Sequence, residues 1–180
     1  MSQAFVLLDR DGVINYDSDD YIKTPDEWVP IPGSLEAIAL FNQHGYKVTI
    51  ITNQSGLSRG FYTNATLTEI HNKMISLSKS KGGEIDKIYI CPHGPDDNCH
   101  CRKPKPGMLN DFANEKNLTL ENVFFIGDKL ADIQAAEAAG AKPILVKTGK
   151  GQITIKNNPD FNHPIFENLY DAAKFIVSEK

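Results

Sequence analysis

Two aspartates, Asp9 and Asp11, follow directly on the apolar run "AFVLL", in the stretch "DRDG". Another pair, Asp128 and Asp132, follows "NVFFI" in "GDKLAD", and between the two pairs lie Thr52 of "TNQSG" and Lys103 of "CRKPKP". Carboxylates crowded together repel one another and are costly to bury unpaired. A divalent cation relieves both problems, and hard oxygen ligands select magnesium. Lysine and threonine beside them suit a phosphoryl group, one as a point charge and the other as a short hydroxyl donor. A carboxylate can itself be the nucleophile, giving an acyl phosphate that water later opens. Singly, each residue has a plainer use: a turn for "DxD" and Thr52, a solvated charge for Lys103, a helix cap for Asp128 and Asp132. Their joint occurrence behind successive strands is what points to phosphate chemistry.

The elements that must position them are legible in the pattern. "AFVLL", "YKVTII", "IDKIYI", "NVFFIGD" and "PILVKTG" read as strands apolar on both faces. Helices alternate with them. One follows Ser34 as N-cap and ends at Gly45; one opens on a capping box of Thr66 and Glu69, with Leu67, Ile70, Met74 and Leu77 as its apolar stripe. A third covers Met108 to Lys116 behind Pro106, a fourth is "LADIQAAEAA" stopped by Gly140, and a last one starts near Asn168. Between "PILVKTG" and that last helix the pattern reads as loop. The alternation predicts an α/β fold, a Rossmann-like doubly wound parallel sheet, with residues 1–180 as one domain. Such sheets bind ligands at the carboxyl ends of their strands, which gathers "DRDG", "TNQSG", "CRKPKP" and "GDKLAD" at one edge. Strand order is not readable from periodicity. The intervals between these motifs leave no room for a large cap domain, so surface loops must choose the substrate.

All three cysteines sit in one loop, "CPHGPDDNCHC". Cys91, His93, Cys99 and Cys101 offer three thiolates and an imidazole, the donor set of a closed tetrahedral zinc site. His100, between two ligands in extended chain, points away and is left out. Such a clasp would brace the loop and aim Arg102 and Lys103 beside it. An odd, clustered cysteine count without a secretory signal fits a reducing, cytoplasmic setting better than a disulfide framework. The net charge of -4 argues against a nucleic-acid partner, and no apolar run approaches membrane-spanning length.

The four motifs, from Phe5 to about Gly149, resemble the signatures of the haloacid dehalogenase superfamily phosphatases. The resemblance implies that Asp9 is the nucleophile and that Asp11 is the acid for the leaving alkoxide and then the base for water. It implies that Thr52 and Lys103 hold the phosphoryl oxygens. Asp9, Asp128 and the Asp11 carbonyl would bind magnesium, and Asp132 would steady neighbouring groups. "TNQSGLSRG", "CRKPKPGML" and the cysteine loop resemble the zinc-containing branch that dephosphorylates heptose 1,7-bisphosphates or histidinol phosphate. That branch implies a substrate site lined by Asp17, Asp20, Tyr21, Thr52, Asn53, Gln54, Ser55, Arg102, Lys103 and Lys129, and a monomer. A second phosphate would need positive charge, for which Arg59, Arg102 and Lys129 are candidates. The acidic loop "DSDDY" could meet sugar hydroxyls or the cationic amine of histidinol phosphate. The expected reaction is removal of the 7-phosphate of D-glycero-D-manno-heptose 1,7-bisphosphate for lipopolysaccharide precursors. A histidinol-phosphate phosphatase and a catalytically silent, zinc-braced binding protein stay open as alternatives.

Overall fold

The sheet is built outward from its most deeply buried strand. In this computed structural model, residues 3–179 are described; Met1, Ser2 and Lys180, the ends of the expected domain, lie outside the described residues. Strand β1 (Ala4–Leu8) pairs in parallel with β2 (Tyr46–Asn53) on one side and β4 (Phe124–Gly127) on the other. With β3 (Ile85–Cys91), β5 (Lys142–Val146) and β6 (Ile165–Phe166) the order is β3-β2-β1-β4-β5-β6, parallel throughout. The direction of winding reverses between β1 and β4, so a crevice opens there, beyond Leu8 and Gly127.

Alternate side chains of each strand enter different layers. Val6 and Leu8 pack with Ile50, Ile126 and Val146 against helices α1 (Ser34–Gln43), α2 (Asn64–Ser80) and α6 (Leu169–Ser178). Phe5 and Leu7 pack with Ile51 and Phe125 against α3 (Gly107–Lys116) and α4 (Leu130–Ala139). Val6, Leu7 and Leu8 are each fully buried, and each such side chain contributes about 1.5–3 kcal/mol. The strand that ends in Asp9 is thus firmly seated.

The helix starts differ from expectation at two places. Ser34 is the first residue of α1, with Gly33 in the cap position; its hydroxyl donates to the Ile14 carbonyl at 2.6 Å rather than capping. Helix α2 begins before Thr66, because Thr63 supplies the cap and accepts from the Thr66 amide. The stretch read as loop after β5 holds α5 (Gly151–Asn157) and the short edge strand β6. Helix α5 buries only Gly151 and Thr154, so it carries no apolar stripe to read.

Between β1 and α1 the chain makes an excursion without regular helix or strand. It is held by Trp28, fully buried, and Ile22 in the core, and by Lys73 of α2, whose ammonium donates to the carbonyls of Pro25 and Trp28 at 2.7 and 2.9 Å. This anchoring carries Asp17–Tyr21 over the crevice. Among the described residues no helix is long and apolar enough to cross a membrane.

Candidate active site and metal centres

Strand ends deliver the expected carboxylates to one place. Asp9 follows β1 and keeps its amide on the Ile126 carbonyl at 2.9 Å; Asp128 follows β4. A ligating oxygen from each of Asp9, Asp128 and Asp132 lies within 4.8 Å of the others. Lys103 reaches between them, 2.9 Å from Asp9 Oδ1, 2.7 Å from Asp132 Oδ1 and 2.8 Å from the Ile51 carbonyl. Its main chain is fixed by Asn53, whose amide side chain accepts from the Lys103 N–H and donates to the Lys103 carbonyl, both at 3.1 Å. The side-chain amide of Asn53 thus holds Lys103 in place.

Asp132 has both oxygens engaged, one by Lys103 and one by the amides of Asp128 and Lys129 at 3.2 and 3.1 Å. Asp128 is different. Its Oδ2 accepts from the Lys150 amide at 2.8 Å, while its Oδ1 is buried with no hydrogen-bond partner. Burial, then the charges of Asp9 and Asp132, push Asp128 up to about 8. Burial and Asp132 push Asp9 up to about 6 against the pull of Lys103. A buried carboxylate oxygen without a donor, beside a second reluctant carboxylate, fits a hard divalent cation. The glycines make the space: a Cβ on Gly12 would stand 2.1 Å from Asp128 Oδ2, and one on Gly149 2.3 Å from it.

Asp11 has its own set of holders. Arg10 Nε and Nη2 donate to Asp11 Oδ1 at 3.1 and 2.9 Å, and Asn15 Nδ2 donates to the same oxygen at 2.9 Å. Gln54 Nε2 bridges Asp11 Oδ2 and Thr52 Oγ1 at 3.0 and 2.9 Å, itself oriented by the Tyr62 hydroxyl. Burial would raise Asp11, but the Arg10 guanidinium and the Asn15 amide outweigh it and hold the carboxyl below its ordinary range. Behind Arg10 stands His71 at 3.1 Å, pushed down to about 4 by burial and by Arg10, so the neutral ring accepts from the guanidinium. None of Arg10, Asn15, Tyr62 and His71 stood among the expected site residues. Arg10, lying between the two aspartates, was the one with a visible signal.

The cysteine loop closes on itself as its donor types imply. Ligating atoms of Cys91, His93, Cys99 and Cys101 lie within 4.8 Å of one another. Cys91 Sγ is 3.7 Å from both Cys99 Sγ and His93 Nδ1 and 2.9 Å from Cys101 Sγ, which lies 3.4 Å from His93 Nδ1. A zinc tetrahedron with bonds of about 2.3 Å to sulfur has edges close to the longer of these separations, so the ion would spread Cys91 and Cys101 apart. Burial pushes the Cys91 thiol up to about 12, and a bound cation would reverse that. His100 stands outside the group, 3.6 Å from Asp111. Arg102 Nη1 donates to the His93 carbonyl at 3.1 Å, which ties the clasp to the basic residues after it.

The comparisons with known proteins agree with this geometry. Residues 100–172 match the HAD-hydrolase-like family model. The chain is 51% identical over 172 residues to D-glycero-beta-D-manno-heptose-1,7-bisphosphate 7-phosphatase of Pseudomonas putida, covering 96% of this chain and 98% of that one. It is 52% identical to the Bordetella bronchiseptica protein of the same name, covering 97% and 98%. The crystal structure of D,D-heptose 1,7-bisphosphate phosphatase from B. bronchiseptica, complexed with magnesium and phosphate, superposes with a TM-score of 0.96 at 46% identity, covering 98% of this chain and 99% of that one. The chain belongs to the haloacid dehalogenase superfamily.

In this haloacid dehalogenase-like hydrolase the crevice widens into a cavity of about 330 Å³. Asp17, Tyr21, Asn53, Gln54, Ser55, Arg102, Lys103 and Lys129 line it together with Asp11, while Thr52 lies fully buried beneath. Two expected residues do not line it. Asp20 opens instead on the neighbouring hollow with Tyr16 and Lys23, because Tyr21 turns the chain with φ 67°. Arg59 is carried to the exposed surface by the turn in which its amide bonds to the Ser55 carbonyl. Ser18 and Asp19, within the expected loop Asp17–Tyr21, line the cavity too, and Lys150 lines it without having been expected. Lys150 follows β5, and the rule that gathers ligands at strand ends would have found it. Two ion pairs cross the opening, Lys129 to Asp17 at 3.1 Å and Lys150 to Asp19 at 2.6 Å.

Proposed function

We propose that this chain removes the 7-phosphate of D-glycero-β-D-manno-heptose 1,7-bisphosphate, a step toward nucleotide-activated heptose for lipopolysaccharide. The observation that carries the reading is one cavity with two kinds of lining: Asp11 and Lys103 at its floor, Arg102 and Lys129 on its wall. A monophosphate needs only the floor. The relatives named above, matched over nearly the full chain, carry the same activity and the β anomer in their names. Histidinol phosphate fits less well, because Asp17, which would meet its amine, is already paired with Lys129 in a less exposed ion pair.

Asp9 attacks phosphorus, and the phosphoryl bond to the sugar oxygen breaks. Lys103 and Thr52 hold the phosphoryl oxygens, and Asp11 gives its proton to the leaving alkoxide. Arg10 keeps Asp11 ionised in the free protein; the approaching phosphoryl charge raises its proton affinity, so Asp11 takes up a proton from solvent with the substrate and passes that proton to the alkoxide. Water then opens the aspartyl phosphate, with Asp11 taking a proton, and Asp9 is restored. Asp9, Asp128 and the Asp11 carbonyl would hold magnesium, which supplies charge neutralisation at the phosphoryl oxygens. Cys91, His93, Cys99 and Cys101 would hold zinc as a brace, with no position left for catalysis. The reading takes residues 1–180 as one monomeric phosphatase domain in the cytoplasm. Phosphorus NMR of the reaction tests it. The expected product retains the 1-phosphate and has lost the 7-phosphate; loss of the 1-phosphate, or no release with magnesium present, would contradict it.

A further inference from the structure

Cations facing the cavity are not equally free. Lys103 is spent on Asp9, Asp132 and the Ile51 carbonyl, and Arg102 is tied to the His93 carbonyl. Lys129 pairs with Asp17, whose side chain is only 16% exposed. Lys150 is held by the most exposed partner of all: the Asp19 side chain is 86% exposed. An exposed pair of this kind is worth about 0.2–1 kcal/mol, so it yields to a stronger anion.

The main chain of Lys150 is the opposite of loose. Its amide donates to Asp128 Oδ2 at 2.8 Å. Two residues earlier, the Thr148 hydroxyl donates to the Gly12 carbonyl at 2.7 Å. Gly149, at φ 58°, is pressed so close that a Cβ there would stand 2.5 Å from the Gly12 Cα. After it, Thr154 of α5 donates to the Asp128 carbonyl at 2.9 Å. The root of this side chain is thus fixed against the centre that handles the transferred phosphate, while its ammonium group is at the cavity and weakly held.

We propose that Lys150 binds the second, non-transferred phosphate of the substrate, and that Asp19 occupies its ammonium group in the empty protein. The assignment rests on the bisphosphate reading above and makes Lys150 a specificity-determining residue. A phosphate carries close to two negative charges and several acceptor oxygens, so it outcompetes a single exposed carboxylate. Binding would also free Asp19, and with it the loop that carries Asp17–Tyr21.

The test compares the heptose 1,7-bisphosphate with the same heptose carrying only the 7-phosphate. In K150Q, kcat/KM for the bisphosphate should fall about tenfold or more, mostly through KM, as for loss of one charged contact. For the 7-phosphate it should stay within about twofold. K150R should restore most of the loss, and D19N should lower KM for the bisphosphate by removing the competitor. Equal losses on both substrates, or none on either, would overturn the assignment. A wild-type preference for the bisphosphate that K150Q retains would overturn Lys150 alone. A wild-type protein indifferent to the second phosphate would overturn the bisphosphate reading along with it.

Discussion

The floor of the cavity and its rim are built on different principles. At the floor, Asp9, Lys103, Asp128 and Asp132 are almost wholly buried, and Lys103 alone ties together the ends of β1, β2 and the helix after β4. At the rim, Lys150 meets the exposed Asp19 and Lys129 the less exposed Asp17, both lysines standing at the starts of helices. Buried charges keep one arrangement, because each partner removed leaves another stranded; exposed pairs exchange partners at little cost. Chemistry that must be the same for every turnover belongs at the floor, and choice among substrates belongs at the rim.

The largest effect should come from the nucleophile. D9N should lower turnover by at least about 10⁴-fold while leaving fold and zinc content intact, as measured by phosphate release and metal analysis. Turnover within about tenfold of wild type would remove Asp9 from that role. Next, K103M strands two buried carboxylates and should cost on the order of 3–5 kcal/mol by denaturant unfolding. A loss below about 1 kcal/mol would mean the floor is as exchangeable as the rim.

Third is the clasp. Stripping zinc with a chelator, or C91S, should lower the melting temperature and reduce activity without altering the magnesium requirement. Protein freshly purified without chelator should carry about one zinc per chain, and finding none would sink the clasp.

A pH dependence sharpens the contrast further. Asp9 and Asp128 ionise near 3.8 when unfolded but at about 6 and about 8 when folded. The metal-free folded protein therefore binds more protons than the unfolded chain, and these groups contribute less stability as pH rises through that window. Magnesium competes with those protons, so its stabilisation in a thermal shift assay should be larger at pH 8 than at pH 5.5. An equal shift at both would show that the cation does not replace protons at these carboxylates. The smallest effect is at the rim: K150Q, which loses only an exposed pair, should leave the unfolding free energy within about 1 kcal/mol of wild type while raising KM for the bisphosphate.

What the sequence disclosed follows the same division. The floor was legible because Asp9 and Asp128 stand just behind apolar runs, with Lys103 and Asp132 in the motifs that follow strands, and a parallel sheet gathers such positions whatever the order of its strands. The cysteine loop was legible from donor types and spacing alone. The rim was only half legible. Asp20 and Arg59 stand next to true lining residues in sequence, but a left-handed Tyr21 and the turn after Ser55 point them elsewhere. Asp19 and Lys150 meet across 131 positions, a distance no local pattern encodes. Gln54 and Asn53 line the cavity, and their side-chain amides also orient Asp11, Thr52 and Lys103, a role no local pattern encodes. Helix α5 escaped because its seat depends on the Asp128 carbonyl rather than on an apolar face.

The most direct test of the account is phosphate release, with magnesium, comparing kcat/KM for heptose 1,7-bisphosphate and histidinol phosphate. A preference for the β-heptose bisphosphate of about a hundredfold or more, on the order of 3 kcal/mol of transition-state binding, is the expected result. Equal rates, or a preference for histidinol phosphate, would contradict a rim built to hold a second phosphate.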